Sequence, residues 1–231
     1  GDGEELWRLI WVWDGTGQPT QLTVAPLNTR PLNTWEASWC GNDHIVAVTS
    51  DSHSEGSWYA SRLTLIDART GQARMLHEPR DQIGVPRGSP DGTKVAFIGA
   101  FCSDRGLVAG SLTVLDRAGT SVEVLQTDAI DVTSVEWRSP TVLSLAGLRG
   151  HETVLADFDL EAGRLTQIWA STELSCGEWA PTAAPIGDHG ALFVGEAFDR
   201  APFLAELRDG NLSEIASLAA PGAEAAMAGR G

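Results

Sequence analysis

The feature that most restricts the possible folds of this chain is an internal repeat. Four segments run in parallel: Glu36-Ala-Ser-Trp39, Val85-Pro-Arg-Gly-Ser-Pro90, Val135-Glu-Trp-Arg-Ser-Pro140 and Gly177-Glu-Trp-Ala-Pro181. Trp39, Gly88, Trp137 and Trp179 stand 49, 49 and 42 residues apart. A second landmark, an Asp that ends an apolar run before a glycine turn, occurs at Asp14, Asp67, Asp116 and Asp159, with steps of 53, 49 and 43. Two unrelated landmarks keep nearly one period, which identifies a module that must stack on copies of itself to bury its faces.

Each module reads as four short strands. Ser89-Pro-Asp-Gly92 is a turn, since Pro presets φ and Gly takes the positive-φ position. Lys94-Val-Ala-Phe-Ile98 follows at strand length. Ser111-Leu-Thr-Val-Leu-Asp116 alternates like a half-buried strand, and Val122-Glu-Val-Leu125 closes the unit. Four strands in 40–50 residues is the pattern of a propeller blade. The expected class is therefore all-β, a β-propeller fragment of four complete four-stranded blades plus a half blade. Blades are expected at about 35–78, 83–126, 132–170 and 175–218, after a half blade at about 6–25. Residues 219–231 are low-complexity and are expected to be disordered. A half blade without its first two strands implies a piece of a larger propeller with unpaired margins. The recurrent Trp is expected in the core between blades. Gly88, standing where the other repeats carry Trp, is expected to leave its blade less well packed.

Composition narrows the function. Of 231 residues, 42% are hydrophobic and nine are Trp, which supports a sizeable core and excludes a disordered chain. No apolar run nears the roughly 20 residues of a membrane helix, so no membrane partner is expected, and three cysteines without a disulfide framework, as in a reducing compartment, lead to a cytoplasmic location as the expectation. The chain begins at Gly1 without Met, and its true start and any leader are expected upstream. The net charge is −15 and the sole Lys is Lys94, which argues against nucleic acid, whose binders cluster Lys and Arg. Cys40, Cys102 and Cys176 are widely spaced and form no disulfide framework. Five scattered His, among them His151 in a turn, give no metal-ligand spacing. Gly15-Thr-Gly17 opens no helix and is too short for a dinucleotide fingerprint. No cofactor and no metal are expected.

The stretches Trp58-Tyr-Ala-Ser-Arg-Leu63, Pro86 to Ile98 and Phe101-Cys-Ser-Asp-Arg-Gly106 resemble the propeller of prolyl-oligopeptidase-family serine peptidases, above all the acylaminoacyl-peptidase and dipeptidyl-peptidase branch. The resemblance covers most of residues 6–218. It implies a propeller seated on an α/β-hydrolase domain, limiting access to short peptides, with Ser, Asp and His in the hydrolase part. That partner domain is not in this sequence. No Ser here has glycine on both sides at the Gly-x-Ser-x-Gly spacing of a nucleophile elbow, so the chain by itself is expected to be inert.

Binding character is concentrated in the connectors between second and third strands. Such loops gather at one face of a propeller, and an acidic and aromatic rim would hold a peptide ammonium. Glu55, Trp58, Arg105 and Glu196 are the candidate contacts to substrate or partner domain. The alternative is a stand-alone TolB-like or WD40-like propeller that binds a protein or peptide.

Overall fold

The computed structural model describes residues 7–26, 29–101, 104, 106–177 and 179–222. Arg105 and the tail beyond residue 222 lie outside the described residues, while 219–222 follow the last strand without regular structure. Among the described residues, the single helix is a 3-10 helix, Glu55–Ala60; everything else regular is strand. No helix there is long and apolar enough to cross a membrane.

The chain divides into two compact units, 1–125 and 126–231. Unit 1 opens with a two-stranded antiparallel sheet, β1 (Ile10–Val12) and β2 (Thr20–Leu22). After β3 (Ala25–Pro26) come β4 (Asn33–Cys40), β5 (His44–Ser50), β6 (Arg62–Asp67) and β7 (Gln72–His77), an antiparallel meander in chain order. β3 adds to the outer side of β7 in parallel, Ala25 opposite Gln72. The next blade is β8 (Gln82–Gly88), β9 (Lys94–Ala100), β10 (Ser111–Asp116) and β11 (Val122–Val124), again in order. Unit 2 holds two blades. One is β12 (Asp131–Trp137), β13 (Val142–Arg149), β14 (Glu152–Asp159) and β15 (Arg164–Ser171). The other has its first strand split into β16 (Ser175–Cys176) and β17 (Ala184–Ile186), both paired with β18 (Gly190–Ala197), then β19 (Arg200–Arg208) and β20 (Asn211–Ser217). Four blades and one two-stranded sheet make this an all-β, propeller-type chain.

Burial on both faces explains the near-continuous apolar strands. In β5, Ile45 and Ala47 pack with Ile10, Val12 and Leu22 of the first sheet and with Val24, which follows it. The intervening Val46 and Val48 pack on the other side with Ile83, Val95, Phe97 and Leu115 of the next blade. Side chains alternate across a strand, so a middle sheet needs apolar residues at every position. In unit 2, Ala146 and Leu155 meet Phe193, Phe203 and Leu207 in the same way. Each fully buried Leu or Phe contributes roughly 1.5–3 kcal/mol.

Two expectations about the repeat landmarks are corrected. Trp39 is 50% exposed and Trp179 88% exposed, and Trp137 is only half-buried. The recurrent Trp is therefore not inter-blade core; that space is filled mainly by Val, Leu, Ile and Phe from the second and third strands, with Cys40, Ile83 and Cys176 from first strands. Gly88 is not a packing defect. A Cβ placed there would lie 2.4 Å from both Cα and Cβ of Cys40, so the first strands of two neighbouring blades touch at this point. Its N–H donates to Ser38 Oγ at 3.1 Å across the same contact.

The first strand of that blade also carries an unusual backbone. Between Gly84 and Arg87 the register of β8 against β9 shifts, and Val85 sits at φ +54°, the left-handed region that a β-branched residue rarely adopts. Its N–H donates to Glu36 Oε2 at 2.6 Å, from the first strand of the adjacent blade. Burial pushes the Glu36 carboxyl up from its ordinary range, while the bond from Val85 and the Arg87 charge work against that shift.

Candidate functional site

Strand direction alternates within each blade, so second-to-third connectors and blade-to-blade connectors emerge at one end. In unit 1 the described residues of these connectors are 51–61, 78–81, 101, 104 and 106–110; in unit 2 they are 150–151, 172–174 and 198–199. Two kinds of surface form at these ends.

In unit 2 the connectors and adjoining strand ends border an open cleft of about 350 Å³ whose walls include His151, Thr153, Glu173, Glu196 and Phe198. Glu173 is held by its own turn: Ser171 Oγ accepts the N–H of Glu173 at 3.1 Å and that of Leu174 at 3.0 Å. Glu196 is fixed by β-pairing opposite Ser175, whose hydroxyl donates to the Glu196 carbonyl at 3.3 Å. Glu196 is half-buried, Glu173 is exposed and Phe198 stands 84% exposed. The cleft thus combines two carboxylates, Ser and Thr hydroxyls and one aromatic face. That combination suits a small cation with hydrogen-bond donors, and a carboxylate–ammonium contact is a charge-assisted bond about twice as strong as a neutral one.

In unit 1 an aromatic cleft of about 620 Å³ is lined by Trp7, Leu9, Arg30, Pro31, Asp51 and His53. The Trp7 and His53 rings lie 5.3 Å apart at 48°. Asp51 is ion-paired with Arg62.

The candidate residues from the sequence separate accordingly. Glu196 lies in the unit 2 cleft. Glu55 is the exposed first residue of the 3-10 helix in unit 1. Trp58, in the same helix, is 2% exposed and packs edge-to-face on Tyr59 at 5.1 Å, so it is a core residue and not part of a contact rim. The aromatic rim of unit 1 comes instead from Trp7 and His53. Arg105 lies outside the described residues. Glu173 was not singled out from sequence, although counting strand directions places its connector at the same end as Glu196.

The other sequence motifs are structural. Ser89 Oγ donates to Asp91 Oδ1 at 2.6 Å and accepts the N–H groups of Thr93 and Lys94, and Gly92 sits at φ +70°. Ser89-Pro-Asp-Gly92 is thus a self-capped hairpin. Glu152, beside His151, pairs with Arg149 at 2.8 Å. Burial pushes the Cys176 thiol up to about 12, and it also raises that of Cys40, which makes both poor nucleophiles. Among the described residues no three His, Cys, Asp or Glu side chains converge as a metal-ligand group.

No protein-family model matches the chain, and no curated protein matches it in sequence. Solved structures share its fold. An oligogalacturonate lyase in complex with manganese superposes with TM-score 0.65 at 15% identity, over 87% of this chain and 57% of that one. TolB from Acinetobacter baumannii gives 0.60 at 15%, over 88% and 47%. The β-propeller domain of the Trilobed protease from Pyrococcus furiosus, described as having an open velcro topology, gives 0.55 at 16%, over 80% and 58%. The chain spans about half the length of these proteins. Its fold is that of the β-propellers, common to TolB and to the propeller domains of prolyl-oligopeptidase-type peptidases.

Proposed function

We propose that this chain is a non-catalytic recognition propeller, the gating and docking part of a prolyl-oligopeptidase-like serine peptidase, which takes short peptides by their amino terminus at the loop end. The observation that carries the reading is the unit 2 cleft, where Glu173 and Glu196 stand beside Phe198 with hydroxyl donors and acceptors around them. In this reading a free α-ammonium pairs with a carboxylate of the cleft, and the first side chain of the peptide meets the aromatic face. At this exposure one such charge pair is worth up to about 1 kcal/mol, which corresponds to a preference of about fivefold for the free amine. About 350 Å³ is at the small end of ligand sites, suited to one terminal residue and not to a folded chain.

Calorimetric titration with a tripeptide and its N-acetylated twin tests the reading. The free amine is expected to bind about fivefold more tightly, and Glu196→Gln is expected to remove most of that difference. Equal affinity for the two peptides overturns it. The gating role further requires an α/β-hydrolase domain. A Gly-x-Ser-x-Gly motif within alternating strands and helices in the same reading frame supports that role.

The likeness to TolB supports a second reading, a stand-alone propeller that binds a peptide or protein through the same cleft. A reading frame containing blades alone favours it. In either case the chain itself is expected not to hydrolyse aminoacyl-nitroanilides; turnover sensitive to a serine-directed inhibitor would refute both.

A further inference from the structure

The aromatic cleft of unit 1 is bordered by three short stretches that bonds outside the cleft hold in place. Residues 7–9 run beside the start of β4: the Arg8 N–H donates to Asn33 Oδ1 at 2.8 Å, and the Arg8 carbonyl accepts the Thr34 N–H at 3.2 Å. The Arg8 guanidinium turns to the Trp35 ring, 4.6 Å from its centroid, whereas its neighbours Trp7 and Leu9 line the cleft. Arg30 and Pro31 enter just before Leu32, whose N–H donates to the Val24 carbonyl at 2.8 Å. The third stretch, residues 51–53, leaves β5. There Ser50 Oγ donates to the Ser52 carbonyl at 2.7 Å and accepts the Trp35 indole N–H at 2.8 Å. The walls are thus placed without help from any ligand.

Size and chemistry then select the occupant. A volume of about 620 Å³ lies within the range of small-ligand sites, and Leu9 and Pro31 supply apolar walls beside the two rings. The Trp7 and His53 rings are half-buried, 5.3 Å apart and tilted at 48°, so they form a corner and not a stack. A third ring set into that corner lies against one face and meets the other at its edge, and both arrangements are favourable. Charge decides the rest. Asp51 is neutralised by its ion pair with Arg62. The Arg30 side chain is exposed and has no hydrogen-bond or ion-pair partner among the described residues. A guanidinium presents a fork of donors that matches a carboxylate. One Arg balances one negative charge. A phosphate dianion would leave a second charge uncompensated near Asp51, in a chain whose net charge is already −15. The complementary ligand carries a single negative charge on a flat apolar body.

We propose that the unit 1 cleft binds an aromatic carboxylate, its ring in the corner of Trp7 and His53 and its carboxylate on Arg30. The C-terminal aromatic residue of a peptide and a free aryl acid share this chemistry. The proposal does not rest on the amino-terminus reading of the unit 2 cleft, since the two clefts lie in different units and take opposite charges.

Four probes titrated calorimetrically into the full chain test it: acetyl-glycyl-phenylalanine, its C-terminal amide, acetyl-glycyl-alanine and 3-phenylpropionate. None carries an ammonium, so the outcome is separate from that of the unit 2 cleft. The phenylalanine acid is expected to bind saturably, about fivefold more tightly than its amide, as for an exposed charge pair. It is expected to bind roughly tenfold or more tightly than the alanine acid, from burial of the ring. Arg30→Gln is expected to bring the acid to the affinity of the amide and to leave the amide unchanged, a pattern that general loss of structure does not give. Trp7→Leu is expected to weaken acid and amide alike; should that variant fold poorly, the exposed Arg30→Gln decides. Tighter binding of the peptide acid than of 3-phenylpropionate assigns the cleft to a peptide C-terminus, the reverse to a free aryl acid, and both support the proposal. Absence of saturable binding, equal affinity of acid and amide in the unaltered chain, or an Arg30→Gln chain that still prefers the acid overturns it.

Discussion

At Gly88 the missing side chain lets two first strands meet, because any Cβ would fall on the backbone of Cys40 and Trp39 rather than on a movable side chain. Gly88→Ala is therefore expected to cost about 2 kcal/mol, in the range of overpacking substitutions, and to lower the thermal midpoint by several degrees. Gly56→Ala, which meets nothing within 4 Å, is the control. It is expected to change stability by less than about 0.5 kcal/mol. Similar midpoints for the two variants in a thermal melt would remove the close-contact account. Gly88 also marks the limit of what the sequence makes legible. A glycine in place of a repeated Trp looks like a defect because the repeat reveals period but not which face of a strand meets its neighbour. Trp58 misleads for a related reason: loop composition does not encode that a short 3-10 helix turns one indole inward.

The hairpins explain the second landmark of the repeat. The Asp67 carboxylate accepts the N–H groups of Arg69 and Thr70 and the Thr70 hydroxyl, and Asp116 is bound by the Thr120 hydroxyl and N–H. Asp14 and Asp159 do the same with the residues that follow them. The repeated Asp is a turn-former, not a binding residue. Its hydroxyl and amide donors favour the charged form, so Asp14, Asp67 and Asp116 all titrate below the ordinary carboxylate range in the folded chain. A depressed folded pKa gives stability that is complete above the unfolded value, about 3.9, and is lost as pH falls through the folded one. The melting temperature is expected to fall as pH drops below about 4, and less steeply in Asp67→Ala, which has already lost those bonds. Parallel pH profiles for the two proteins would assign acid sensitivity elsewhere. Turn residues and alternating strands are local, which is why the meanders were legible. The parallel addition of β3 and the split of the last blade's first strand into β16 and β17 depend on distant partners, and no local pattern announces them.

Across the whole molecule the excess of 31 Asp and Glu over 16 Lys and Arg sets up a field that draws cations toward any site on the surface. It also distinguishes two ways in which the unit 2 cleft can work. If Glu173 and Glu196 hold an ammonium, affinity contains a Coulomb component that salt screens over a length of about 10 Å at 0.1 M and 3 Å at 1 M. If the contact is instead made by Phe198 and hydroxyls, salt leaves affinity nearly unchanged. Raising sodium chloride from 20 to 500 mM is accordingly expected to weaken binding of the free-amine tripeptide several-fold, and to leave its N-acetylated twin almost unaffected. Glu196→Gln is expected to flatten the salt dependence of the free amine without abolishing it, because Glu173 and nearly all of the net charge of −15 remain. Calorimetry at three salt concentrations reads all of this. Identical slopes for the free and acetylated peptides would mean that the acidity of the chain serves solubility alone and that the paired carboxylates recognise nothing.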